Sequence, residues 1–203
     1  MAQVLLGTTN RGKIAEALDL LSGLPGIEWR TYADCPFADV DETGESFLEN
    51  ALLKAAAIGA ETGLPVLSED AGLEVLALGG EPGVRSARYS GEPVDIPRNN
   101  ALLLERLSKE TDRRARFVAV AALRLPDGQT FVSSGVLRGS IADSPRGRGG
   151  FGYDPLFVPA GTTKTLAEMT LVEKNEISHR RRAIGRMRGI LEDLVASGDL
   201  PGR

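Results

Sequence analysis

Leu64-Pro65-Val66-Leu67-Ser68-Glu69-Asp70-Ala71-Gly72-Leu73 is an apolar run that closes on two adjacent carboxylates, a small residue and a glycine. Apolar runs of this length between Gly or Pro signals suit a covered strand. The stretch therefore reads as a buried strand that delivers Glu69 and Asp70 to the rim of a cleft. Gly72 permits a tight turn or a close backbone approach. Two neighbouring carboxylates are costly to desolvate unless a cation compensates. A bound Mg²⁺ is one such partner. The alternative is a solvated loop with two acidic residues.

Upstream of this strand, Asp41-Glu42-Thr43-Gly44-Glu45 opens the strongest helical pattern in the chain. Ser46 and Glu49 have the spacing of a capping box. Leu48, Ala51, Leu52, Ala55 and Ile58 form an apolar stripe, and Gly63 and Pro65 end it. The acidic cluster either compensates the helix dipole or brings Glu42 beside Asp70 as a second metal ligand. Lys54 lies on the flank of the stripe, turned to solvent or to the cleft. Nearer the start, Val4-Leu5-Leu6 reads as a strand and Ile14, Ala17, Leu18 and Leu21 as a helix. Thr8-Thr9-Asn10-Arg11-Gly12-Lys13 joins them. Hydroxyls, an amide and backbone N–H groups at the positive end of a helix make an anion site, with Lys13 in reach of phosphate. The spacing is not that of a P-loop, and a capped helix with an exposed lysine is the plainer reading. Ile27 to Tyr32 is a second strand.

Downstream, Leu73 to Leu78 is apolar and Gly79 to Gly83 a loop. Val84 to Gly91 is a subunit contact or part of the cleft wall. Asp95 caps a helix with Pro97 in its first turn. Ala115 to Leu125, the turn Pro126-Asp127-Gly128 and Gln129 to Ile141 form a hairpin. Four glycines stand within six residues from Gly147 to Gly152, followed by Tyr153, Asp154 and Pro155. Such glycines either make a flexible loop or admit a ligand close to the backbone, where Phe151 among them offers a stacking face to a base. Leu156 to Pro159 is a short strand. Ser178 caps a terminal helix whose apolar stripe is Ile184, Met187, Leu191 and Leu194. His179 and Arg180 open that helix, where a cation gains nothing from the dipole. An anionic or carbonyl-bearing ligand would explain Arg180 there.

The chain has 203 residues, 42% hydrophobic and 26% charged, and a formal net charge of −4. This is ordinary for a soluble globular protein of one domain or two lobes. An acidic chain binds an anionic small molecule through a local basic pocket and is a poor candidate for a stable nucleic-acid binder. Cys35 is the only cysteine, which excludes an intrachain disulfide. With His179 the only histidine, any metal is held mainly by oxygen. The sequence has no signal-peptide pattern and no membrane-spanning run, so the cytoplasm is expected.

Taken in order, Thr8 to Lys13, Glu69-Asp70-Ala71-Gly72-Leu73, Gly149-Gly150-Phe151-Gly152-Tyr153-Asp154-Pro155 and Ile177-Ser178-His179-Arg180 resemble the inosine triphosphate pyrophosphatase family. Glu42-Thr43-Gly44 with Phe47, Glu49-Asn50-Ala51 with Lys54, and Gly79-Gly80 through Ser86-Ala87-Arg88-Tyr89-Ser90-Gly91 extend the likeness over nearly the whole chain. The resemblance implies an α/β fold: a long twisted mixed β-sheet, flanking helices, and two lobes around a central cleft, as a single nucleotide pyrophosphatase domain over residues 1–203. It implies hydrolysis of the non-standard purine nucleotides ITP, dITP and XTP to the monophosphate and pyrophosphate with Mg²⁺, by a homodimer. Thr8, Thr9, Asn10, Arg11, Gly12 and Lys13 would surround the phosphates, with Lys54 and Ala71 also at the substrate. Asp70, with Glu69, would be catalytic, and Glu42 and Asp70 would hold the metal. Phe151, Gly152, Tyr153, Asp154, Lys174, His179 and Arg180 would surround the base. The family's commonest strand pattern is Asp-Asp-Ser-Gly-Leu, so Ala71 lacks a hydroxyl and any contact there is through the backbone. Two other readings are a related pyrophosphatase for modified pyrimidine or 7-methylguanine nucleotides, and a non-catalytic nucleotide- or RNA-binding protein.

Overall fold

Strand and helix alternate through the first third of the computed structural model, which describes residues 1–200. The elements are β1 (Ala2–Leu6), α1 (Arg11–Leu20), β2 (Ile27–Arg30), α2 (Phe47–Thr62), β3 (Val66–Val75), α3 (Ile96–Arg106), β4 (Arg114–Arg124), β5 (Thr130–Ile141), β6 (Phe157–Pro159), α4 (Leu171–Ile177) and α5 (His179–Ser197). The strands form one sheet in the order β2-β1-β3-β4-β5-β6. β1 runs parallel to both β2 and β3, with Leu5 opposite Val66 and Leu6 opposite Leu67. Parallel neighbours need a crossover, which α1 supplies between β1 and β2. β6 pairs antiparallel with β5, so the sheet is mixed. The expected α/β class with a mixed sheet and flanking helices is borne out.

The chain divides into two compact units. One comprises Met1–Asp70, Ala119–Gly135 and the segment beginning at Arg180; the other comprises Ala71–Val118 and Val136–His179. In the first unit Leu5, Phe37, Ile58 and Val66 pack together. The expected stripe of α5, Ile184, Met187, Leu191 and Leu194, is buried. The second unit has its own core, including Leu73, Leu103, Phe117, Leu137 and Phe157. Among the described residues no helix is long and apolar enough to cross a membrane.

Three expectations need correction. β3 does not stop at the acidic pair; it continues through Gly72 to Val75, so Glu69 and Asp70 lie in mid-strand and are buried. The inward face of α2 begins at Phe47 rather than Leu48, while Ala51, Ala55 and Ile58 lie on it as expected. Phe47, Asn50, Ala51, Lys54, Ala55 and Ile58 face inward, while Leu48 is 42% exposed. The capping box on Ser46 makes Phe47 the first helical residue, and its ring takes the core position. Lys54 thereby faces inward rather than to solvent. Finally, α4 was not foreseen, although Thr170 and Glu173 close a capping box at its start.

Candidate active site

Successive residues of a strand face opposite sides of the sheet. Glu69 and Asp70 consequently meet different partners. Glu69 takes the guanidinium of Arg180 in a two-pronged pair, Nε to Oε2 at 2.6 Å and Nη2 to Oε1 at 2.9 Å. Nη1 of Arg180 donates to Glu16 of α1. Arg180 is 1% exposed, so this is a fully desolvated triad. Burial works against the cation, but Glu69 and then Glu16 outweigh it and hold the Arg180 pKa above its usual value. Such a triad fixes geometry more than it adds stability, because desolvation offsets most of the Coulombic gain.

Asp70 faces α2. Its Oδ2 accepts a hydrogen bond from Asn50 Nδ2 at 3.2 Å, and Lys54 Nζ lies 3.3 Å from its Oδ1. Lys54 also pairs with Glu42, so one ammonium joins the two carboxylates. Asn50 in turn accepts from the Gly44 N–H at 2.8 Å, which fastens the segment carrying Glu42 to the helix. Burial raises the Asp70 pKa; Lys54 opposes this and Glu42 adds to it, leaving a carboxyl above its ordinary range.

The turn before α1 is built on Asn10. Its Oδ1 accepts from the N–H groups of Gly12 and Lys13 at 3.0 and 3.1 Å, and Thr8 Oγ1 accepts from Asn10 N at 3.2 Å. Two of the helix's open N–H groups are thus capped by the chain itself. Thr9, Asn10 and Arg11 are exposed, and Thr8, Gly12 and Lys13 half-buried. Burial lowers the Lys13 pKa; Glu69 opposes the shift, while Lys54 and Arg180 reinforce it. Lys13 therefore belongs with the acid and cation cluster. Ala71 is half-buried on β3.

In the second unit the glycine-rich loop is tied to α4. Lys174 Nζ pairs with Asp154 Oδ2 at 2.8 Å and sits 4.5 Å from the centroid of the Phe151 ring. The same Asp154 oxygen accepts from Phe151 N at 2.9 Å. Gly150 makes this closure possible. Its φ is +72°, and an added Cβ would fall 2.0 Å from Asp154 Oδ2. Phe151 remains 39% exposed. Tyr153 is buried, and its hydroxyl donates to the Ser86 carbonyl at 2.9 Å. The His179 ring stacks on Phe117, with centroids 4.8 Å apart.

Sequence reasoning missed Glu16 and gave Asn50 no role. Glu16 had a signal: it lies three residues after Lys13, on the same face of α1 one turn along. Among the described residues no group of three or more His, Cys, Asp or Glu side chains gathers as a metal cage. Glu42 and Asp70 instead form a two-carboxylate, all-oxygen pair already joined through a cation. That donor set fits Mg²⁺, which usually binds one or two carboxylates and completes its shell with water and substrate phosphate.

Fold and site together define an α/β protein in which a polar helix-capping turn accompanies a buried cluster of acids and lysines. The chain belongs to the Ham1 family, whose model matches residues 4–190. It is 50% identical over 194 residues to a dITP/XTP pyrophosphatase of Thermus thermophilus, covering 94% of this chain and 90% of that protein. The dITP/XTP pyrophosphatase of Deinococcus deserti is 48% identical over 191 residues, with the same two coverages. Among solved structures, a HAM1 protein from Coxiella burnetii superposes with a TM-score of 0.89 at 38% identity, covering 95% of this chain and all of that one.

Proposed function

We propose that this chain is a pyrophosphatase that hydrolyses ITP, dITP and XTP to the monophosphate and pyrophosphate, in the cytoplasm and as a homodimer. The observation that carries the reading is the ion-paired group of half-buried Glu42 with buried Lys54 and Asp70 in a Ham1-family chain. Residues 1–203 act as one pyrophosphatase domain with two lobes. Thr8 to Lys13 and Lys54 take the triphosphate, and the Ala71 backbone also touches the substrate. Glu42 and Asp70 would hold Mg²⁺, which when bound neutralises charge on phosphate oxygens.

Asp70 accepts the proton of the water that attacks the α-phosphorus, and its raised pKa suits a general base. Glu69 is occupied by Arg180, so its part is to hold that guanidinium rather than to move a proton. Phe151, Gly152, Tyr153 and Asp154 form the platform for the base, with Phe151 stacking on it. Hypoxanthine and xanthine carry a 6-keto acceptor that matches donors on Arg180, Lys174 and His179; adenine offers an amino group instead. Adenine sets a donor against these donors where the 6-keto purines set an acceptor, and that mismatch is what rejects ATP. Glu16 and Glu69 fix the guanidinium plane in advance, which favours its use as a reader.

Product analysis with ITP, XTP, ATP and GTP in the presence of Mg²⁺ tests this. Monophosphate and pyrophosphate from ITP and XTP, well above ATP, are expected. Release of orthophosphate, or equal turnover of ATP, would overturn the reading.

A further inference from the structure

Two adjacent asparagines in α3 are buried, and neither belongs to the residues discussed above. Asn99 is 3% and Asn100 8% exposed. Asn99 fastens α3 to the 3₁₀ segment Gly83–Arg88 and the turn after it. Its Nδ2 donates to the Ala87 carbonyl at 2.8 Å, and its Oδ1 accepts from Ser90 N at 2.7 Å. Asn100 reaches the other way, its Nδ2 donating to the Gly152 carbonyl at 3.2 Å. Gly152 lies between Phe151 and Tyr153, and the Tyr153 hydroxyl is held by Ser86 of the same 3₁₀ segment. A closed ring of hydrogen bonds results, from α3 through the 3₁₀ segment to the loop and back to α3.

Asn100 is a poor choice for stability alone. Its Oδ1 is buried and accepts no hydrogen bond among the described residues. Leaving an acceptor buried and unpaired costs more than one neutral hydrogen bond returns. An apolar side chain of similar volume would serve the core better. What only the amide supplies is a donor for the Gly152 carbonyl.

We propose that Asn100 is a positioning residue for base recognition: through the Gly152 carbonyl it holds the loop in the conformation that presents Phe151. This rests on the reading that Phe151 to Asp154 receive the base. The effect should fall on binding that is common to ground state and transition state, hence on KM rather than kcat.

The test uses full-length Asn100→Ala and Asn100→Leu beside Phe151→Ala. Leucine branches at the same atom as asparagine, brings no charge and lacks the donor, so it covers failure of the alanine variant to fold. KM and kcat for ITP are measured together with amide hydrogen exchange over residues 149–155. Both Asn100 variants are expected to raise KM about five- to tenfold, a part of what a lost stacking contact costs. The expected kcat is nearly unchanged, and exchange in the loop faster with α5 unaffected. Unchanged loop exchange would overturn the proposal. So would faster exchange with normal KM when Phe151→Ala raises KM; the loop then reads the base without needing this anchor. Faster exchange with normal KM in all three variants would instead remove the base-binding reading itself, and the proposal with it.

Discussion

Asp70 is the residue at which charge, burial and chemistry meet. Its pKa is raised in the folded protein by burial first, with Glu42 adding to the shift. In the unfolded chain the group titrates in the ordinary aspartate range. As pH rises, the unfolded chain therefore loses this proton before the folded one does. The folded state is not penalised below the unfolded pKa, is progressively penalised between the two values, and is fully penalised above the folded one. Asn at this position carries no charge and removes the penalty. In chelator-treated protein, Asp70→Asn is expected to raise the thermal midpoint more at pH 8 than at pH 4. A gain that does not change with pH would contradict the assignment. The same substitution should lower kcat by about 10²–10⁴-fold, the usual worth of a general base. Turnover close to that of the unaltered protein would place proton transfer elsewhere.

At the scale of elements, one of the closures of the glycine-rich loop joins Phe151 N, Asp154 and Lys174. Gly150→Ala would place a Cβ 2.0 Å from Asp154 Oδ2 on a backbone of φ +72°. Asp154 must then move, and Lys174 loses its carboxylate. We expect KM for ITP to rise at least tenfold, of the order of one lost charge-assisted hydrogen bond, with the thermal midpoint lowered; steady-state kinetics on the variant check this. KM unchanged within twofold would separate the loop from the base. That the loop would matter was legible in its four glycines, and the resemblance groups Lys174 with it, but the helix α4 that carries Lys174 was not legible. The signal was present in Thr170 and Glu173. It was hidden because α4 has no apolar stripe: Leu171 and Val172 are 62% and 69% exposed. Periodicity found α2 and α5 for the opposite reason, since both bury one face. It erred on α2 by one residue because Leu48 and Phe47 are both apolar, and only the cap on Ser46 decides between them. Alternation also failed for β3. A strand buried on both faces has no polar side to mark where Glu69 and Asp70 point. Lys54 and Arg180 stand out in the sequence, but nothing local says that Lys54 meets Asp70 or that Arg180, 111 residues on, meets Glu69.

For the molecule as a whole, an acidic chain of net charge −4 is assigned a substrate that is itself an anion. Thr8 to Lys13 and Lys54 are the proposed phosphate-handling residues, and Phe151 to Asp154 the proposed base platform. A ligand that binds only the folded state stabilises it by mass action, by about 2.7 kcal/mol at a hundred times its dissociation constant. For a chain of this size that corresponds to a rise in Tm of about 5–10 °C. The α,β-methylene analogue of dITP with Mg²⁺ should reach this range in a thermal-shift titration. Pyrophosphate with Mg²⁺ at the same concentration lacks the base and should shift Tm by much less. Inosine, which lacks the phosphates, should leave it nearly unchanged. Chelating the metal should reduce the shift given by the analogue, because Lys54 alone would then offset the two carboxylates that the phosphates meet. If pyrophosphate alone matched the full analogue, Phe151 and its neighbours would add nothing to binding, and selection for the 6-keto purines would have to be sought in the chemical step.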